Sequence, residues 1–201
     1  MDDRAKTFFR QILETPSPSG FEQPVQRLVR EYSEPFADDV RTDLHGNVIL
    51  CVNPEAPLRV MLAGHADQIG LIVTYINDNG FIYSSPIGGW DPQQLVGQRM
   101  TIHTEQGPVP AVIARKPIHL LEQDERKQVV KQKDLWLDIG AQDKDEAAEV
   151  VRIGDGVTLE LGYQEMRNNL ANSPGMDDKT GLWVCVEAAR RVKERGGLRV
   201  A

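Results

Sequence analysis

The 201-residue chain has only two cysteines, Cys51 and Cys185, and both sit in apolar runs. Two thiols cannot build a disulfide scaffold, so the expectation is a pair of buried free cysteines in a reducing compartment. Aromatic residues make up 6% of the chain, and its three tryptophans, Trp90, Trp136 and Trp183, are dispersed. They offer no evident platform for a sugar. No apolar run approaches the roughly 18 residues of a membrane-spanning helix. No basic cluster is longer than a few residues, and the net charge is −7, which argues against a nucleic-acid footprint. The opening Met1-Asp2-Asp3-Arg4 lacks the apolar core of a secretory signal. There is no G-x-S-x-G nucleophile elbow, so Ser17 and Ser19 read as loop and cap residues. The expectation from these absences is a cytoplasmic protein that engages neither membrane nor nucleic acid.

What is present is an ordinary globular composition, 40% hydrophobic and 26% charged. Its length suffices for one domain or two small ones. The informative stretch is Ala63-Gly64-His65-Ala66-Asp67-Gln68. The apolar residues before it predict a buried parallel strand over 58–63. In extended backbone, positions i and i+2 point the same way. His65 and Asp67 therefore face one place just past a strand end, where open α/β sheets put their chemistry. An imidazole that binds a metal through one nitrogen and a carboxylate through the other fits this spacing. A strand-end histidine beside a loop aspartate is the plainer alternative. A second stretch, Asn172-Ser173-Pro174-Gly175-Met176-Asp177-Asp178, forms a tight loop and a helix start. Its aspartates cap the helix and complement its dipole, and one carboxylate there can also bridge two metal ions.

Around these stretches the pattern predicts a helix over 4–14 and a second one from about Pro24 to Tyr32. Ser19 and Glu22 form a capping box for the second. A hairpin turns at Asp43–Asn47, with His45 as a solvated turn residue. From about residue 74 to 165, short β-like runs separated by turn residues predict a small barrel or sandwich. It includes one short helix over 143–151 and a charged loop over 121–134. His103 falls inside a strand and reads as structural. From 166 the chain returns to α/β texture, with a helix to about Lys193 that Gly196 ends.

Taken together, residues 63–73 and 173–181 resemble the two N-terminal metal motifs of the M42, glutamyl/leucyl aminopeptidase-like family of metallo-aminopeptidases. Thr15–Glu22, Asp43–Val48 and Lys116–Leu120 agree with it in the same order. The resemblance implies an αβα catalytic domain, hydrolase-like and incomplete at its C-terminal side, formed by 1–73 and 166–201. An inserted β-barrel-like domain, 74–165, would interrupt it and mediate homo-oligomer contacts, in a family that often builds large tetrahedral assemblies. The implied activity is release of N-terminal amino acids from peptides through a dinuclear metal site with a bridging water. The ions would be Zn, Co or Mn. His65 would be a ligand, Asp177 would bridge both ions, and Asp67 is the catalytic carboxylate that orients His65. The resemblance also implies a cis Asp177–Asp178 peptide bond. The family's paired glutamates, one of them the general base, and its remaining ligands have no counterpart here. The expectation is therefore the N-terminal portion of a longer enzyme, inactive alone. A non-catalytic assembly fragment is one alternative. A glycoside hydrolase, which needs two carboxylates flanking a sugar, is the other. His119 is left without a role.

Overall fold

The computed structural model describes residues 2–201. The chain divides into two compact units, one joining the residues up to Gln68 with Leu161–Ala201, the other Ile69–Glu160. Residues 69–73, which the sequence reading placed with the first segment, lie in the second unit because Gly70–Ile76 is a single strand of its sheet. Residues 161–165 lie in the first unit.

In the first unit, α1 (Asp3–Glu14) starts at Asp2, whose carboxylate accepts the Ala5 amide at 2.7 Å. Ala5, Phe8, Ile12 and Leu13 recur at helical spacing and are its buried stripe. The second helix, α2 (Gln23–Ser33), buries Val25 and Val29 and carries Pro24 in its first turn. The expected capping box is not formed. Glu22 accepts the Gly20 amide instead, and no side chain caps α2. The strands β1 (Asp39–Thr42) and β2 (Val48–Cys51) make the expected hairpin. Asp43 closes its turn by accepting from Asn47 Nδ2, the Asn47 amide and the His45 amide, each at 2.9 Å. Those bonds, the Asn47 side chain first, hold its carboxyl below the usual range. His45 is exposed.

The predicted buried strand over 58–63 is not seen. Val60, Met61 and Leu62 are exposed, Met61 at 88%. Among the described residues its backbone bonds are to Ala201: Ala201 N donates to Leu58 O and Val60 N donates to Ala201 O, both at 2.8 Å. That is the bond pattern of a parallel pair. An apolar run is buried in a parallel sheet only when both faces are covered, and here more than half of the surface of Leu58, Val60 and Leu62 stays exposed. Cys51 and Cys185 are free, as expected, but half-buried rather than buried.

The second unit is a closed six-stranded antiparallel barrel. Its strands are β3 (Gly70–Ile76), β4 (Ile82–Ile87), β5 (Arg99–Thr104), β6 (Gly107–Arg115), β7 (Leu135–Asp138) and β8 (Gly156–Leu159). The order β3-β4-β7-β6-β5-β8 closes where β8 pairs with β3. Alternate residues fill the interior: Leu71 and Val73, Met100 and Ile102, Ala111 and Ile113, Leu135 and Leu137. The register with β4 shifts between Val73 and Tyr75. That irregularity moves the buried parity by one residue, so Ile76 also points inward. Pro108 and Pro110 sit in the part of β6 that pairs only with β5, since β7 contacts begin at Val112. Their missing N–H groups therefore cost no ladder bond. A four-residue helix, α3 (Gln123–Arg126), lies in the charged 121–134 segment, and α4 (Lys144–Val150) starts at an Asp143 cap. Among the described residues, no helix is long and apolar enough to cross a membrane.

Returning to the first unit, the two-residue strands β9 (Gln164–Glu165) and β10 (Ala171–Asn172) pair and lead into α5 (Met176–Arg195). Buried on α5 is an ionic network. Arg190 grips Glu187 through two bonds of 2.8 Å and reaches Glu194 and Asp2. The Tyr32 hydroxyl donates to Glu187. Tyr32 stacks on Phe8 at 3.9 Å, with Arg4 over its ring at 4.8 Å. Burial and the bond to Glu187 push the Tyr32 phenol up to about 12. Burial raises Glu187, but the bonds from Arg190 and Tyr32 outweigh it and hold it below the usual range.

Two outcomes are expected. Arg190→Met leaves the buried Glu187 with the Tyr32 hydroxyl and a longer bond to Arg191 at 3.4 Å, and urea unfolding should show a loss of about 3 kcal/mol, the low end for a broken buried pair. Pairing it with Glu187→Met should recover part of that loss. In the barrel, His103 Nε2 lies 2.8 Å from Thr158 Oγ1, and burial lowers its pKa from 6.5. Below that pH the unfolded imidazole takes a proton that the folded one resists, so stability falls as pH falls. Urea midpoints at about pH 7.5 and 5.5, either side of the imidazole value, should differ less in His103→Gln than in the parent chain.

Candidate metal centre

His65 and Asp177 come from distant parts of the chain, and glycine brings them together. A Cβ on Gly64 would lie 2.4 Å from Leu182 N and 2.8 Å from Leu182 Cα. The backbone before His65 therefore packs directly on the first turns of α5. Gly175, at φ 71°, starts that helix, and a Cβ there would press on Gln68 and Lys179. Asp177 and Asp178 have non-helical dihedrals and are joined by a cis peptide bond, as the resemblance implies. The two carboxylates divide the work. Asp178 Oδ1 accepts the Gly181 amide at 2.9 Å, the i to i+3 bond of an N-cap. Asp177 is free of that duty, and its side chain is 99% exposed.

The imidazole of His65 stands between two carboxylates. Its Nδ1 lies 2.8 Å from Asp67 Oδ1 and 3.2 Å from the Asp67 carbonyl. Its Nε2 lies 3.3 Å from Asp177 Oδ1. Bonds of about 2.0–2.2 Å at a tetrahedral angle separate two donors by roughly 3.3–3.5 Å. The pair therefore has the donor types and spacing of two ligands on one ion, with Asp67 behind the ring. It is not a complete ligand set. No group of three or more His, Cys, Asp or Glu side chains able to hold a metal occurs among the described residues.

Lys179 supports this arrangement. Its side chain is fully buried, and Nζ donates to Thr15 O and to Gln68 Oε1, both at 2.7 Å. Burial pushes its ammonium down to about 8, opposed by the Asp67 charge. Ser17 Oγ donates to Ala66 O, and Gln68 N donates to Ser17 O. Ser19 Oγ donates to Asp67 Oδ2. Sequence reasoning passed over Lys179, Gln68 and Gly64 and gave Ser19 to the helix cap. Lys179 had one available signal: it stands three and seven residues before Leu182 and Val186, on the buried stripe. The tryptophans form no sugar platform. Trp90 and Trp183 donate their indole N–H to Gly70 O and Ala5 O, and Trp136 packs on Phe81.

The class of protein is thus an α/β chain with an inserted barrel and a histidine–carboxylate pair at the start of a helix. The sequence profile of the M42 glutamyl aminopeptidase family matches residues 46–198, and the chain belongs to that family. It is 33% identical to the lysyl aminopeptidase of Pyrococcus furiosus over 188 residues, 92% of this chain and 54% of that protein. The TET aminopeptidase of a marine-sediment Thaumarchaeota archaeon superposes with a TM-score of 0.93 at 37% identity, covering 98% of this chain and 56% of that one. The TET1 peptidase of Pyrococcus horikoshii, described as assembling into a tetrahedron or a large octahedral shell, gives 0.81 at 29%, with 95% and 57% covered. The chain spans about half the length of the relatives it matches.

Gly64→Ala is expected to push α5 off the residue-64 backbone. Urea unfolding should register a loss of about 1–3 kcal/mol, the usual cost of overpacking, and His65 should separate from Asp177. An unchanged midpoint would mean that the contact yields freely.

Proposed function

We propose that this chain carries the N-terminal part of a metal-dependent aminopeptidase site, with His65 and Asp177 as ligands and Asp67 as the carboxylate that orients His65. The observation that carries it is the 3.3 Å spacing of His65 Nε2 and Asp177 Oδ1, with Asp67 bonded to the opposite ring nitrogen. Asp67 accepts the Nδ1 proton and so leaves the Nε2 lone pair free for a cation. Asp178 takes up the helix end, which frees both oxygens of Asp177 to serve two ions. When bound, the cations (Zn, Co or Mn) supply Lewis-acid polarisation of the scissile carbonyl and acidify water. Water is consumed, and the products are a free amino acid and a peptide shorter by one residue. The free N-terminal amine of the substrate would bind at one of the ions. The general base that such hydrolysis needs and the remaining ligands belong, on this reading, to sequence that the relatives have beyond the matched half. Residues 74–165 are the self-association element. Support comes from exposed Ile118, Leu120 and Val129 and from the assembling relative of Pyrococcus horikoshii.

Zinc titration by calorimetry tests the ligand assignment. Saturable binding to this chain is expected, lost in His65→Ala and in Asp177→Asn, and weakened about 10–100-fold in Asp67→Asn. Binding that survives His65→Ala together with Asp177→Asn would refute the assignment. A panel of amino-acid anilides, with added Zn²⁺ or Co²⁺, should show no turnover by this chain alone. Turnover would mean that the site is complete without further residues.

A further inference from the structure

Ser19 and Glu22 have the spacing of a capping box, but α2 starts at Gln23 with Glu22 at its N-cap, so Ser19 lies three residues before the cap position. Its hydroxyl crosses to another part of the chain and donates to Asp67 Oδ2. A carboxylate only accepts hydrogen bonds, so the two oxygens of Asp67 are assigned: Oδ2 to the Ser19 hydroxyl and Oδ1 to His65 Nδ1. One donor on each oxygen fixes the carboxylate plane, and with it the ring that faces Asp177.

The loop carrying Ser19 is itself fastened to the segment it serves. Ser17 contributes its hydroxyl to Ala66 O and its carbonyl to the Gln68 amide. Pro18 forms a parallel bridge with Gln68. The buried Lys179 ties Thr15 O to Gln68 Oε1. These bonds flank Asp67 on both sides, and Ser19 is the residue of this loop whose side chain reaches its carboxylate.

We infer that Ser19 is a positioning residue, which holds the Asp67 carboxylate so that His65 keeps its proton on Nδ1 and its lone pair on Nε2, toward Asp177. This rests on the ligand assignment proposed above for His65 and Asp177, but its first test does not require metal. In the metal-free chain at about pH 8.5, above the ordinary imidazole range, the ¹⁵N shifts of the His65 ring report the tautomer. Ser19→Ala is expected to lower the ratio of the Nδ1-protonated to the Nε2-protonated form by about two- to tenfold, the weight of one hydrogen bond. Ser19→Thr, which keeps the hydroxyl, should restore it, and Asp67→Asn sets the full effect. Identical His65 shifts in the parent chain and Ser19→Ala would overturn the inference, as would Ser19→Thr behaving like Ser19→Ala. Zinc calorimetry on the same variants should show about tenfold weaker binding in Ser19→Ala, the low end for an outer partner. If the parent chain binds no zinc, the ligand assignment fails, while the tautomer comparison still decides the role of Ser19.

Discussion

A single buried ammonium is the constraint on which the catalytic-type unit depends. Lys179 has no exposed surface, and its two bonds at 2.7 Å go to the loop before α2 and to the segment after His65. A buried charge is tolerated only when it is paired and hydrogen-bonded. Asp67 supplies opposite charge nearby, and a carbonyl and a side-chain amide supply the acceptors. Three separate chain segments must therefore be in place together. The metal-type pair His65–Asp177 forms at the surface of that clamp, which explains why its members can be exposed and still lie at a defined distance.

The parts of this fold that the sequence discloses are those governed by short-range rules. The barrel strands are bounded by turn residues and alternate inward and outward. The hairpin at Asp43, the Asp143 cap and the Gly196 helix end each follow from a few neighbouring residues. The M42 resemblance is legible for a similar reason, since its motifs are contiguous. What was not legible depends on contacts between distant residues. Ser19 obeys the local grammar of a capping box, but α2 starts three residues later than that box implies, and the Ser19 hydroxyl goes to Asp67, 48 residues away. The strand expected over 58–63 has the right composition, yet burial is a property of what lies on either side, and among the described residues its backbone bonds run to Ala201. Gly64 gives no sign in sequence that a helix backbone stands where its side chain would be.

The paired aspartates show how one motif leaves room for two roles. Capping and ligation would compete for a single carboxylate. The structure gives capping to Asp178 and leaves Asp177 projecting, so the helix end is satisfied without drawing on the carboxylate that faces His65.

The barrel closes on itself, yet part of one strand is paired on one side. β6 before Val112 pairs only with β5. Pro108 and Pro110 stand on that stretch, and neither has an N–H to give. Unpaired strand edges recruit other strands. Two of the donors that an incoming strand would use are missing there, so the one-sided stretch of β6 resists strand addition.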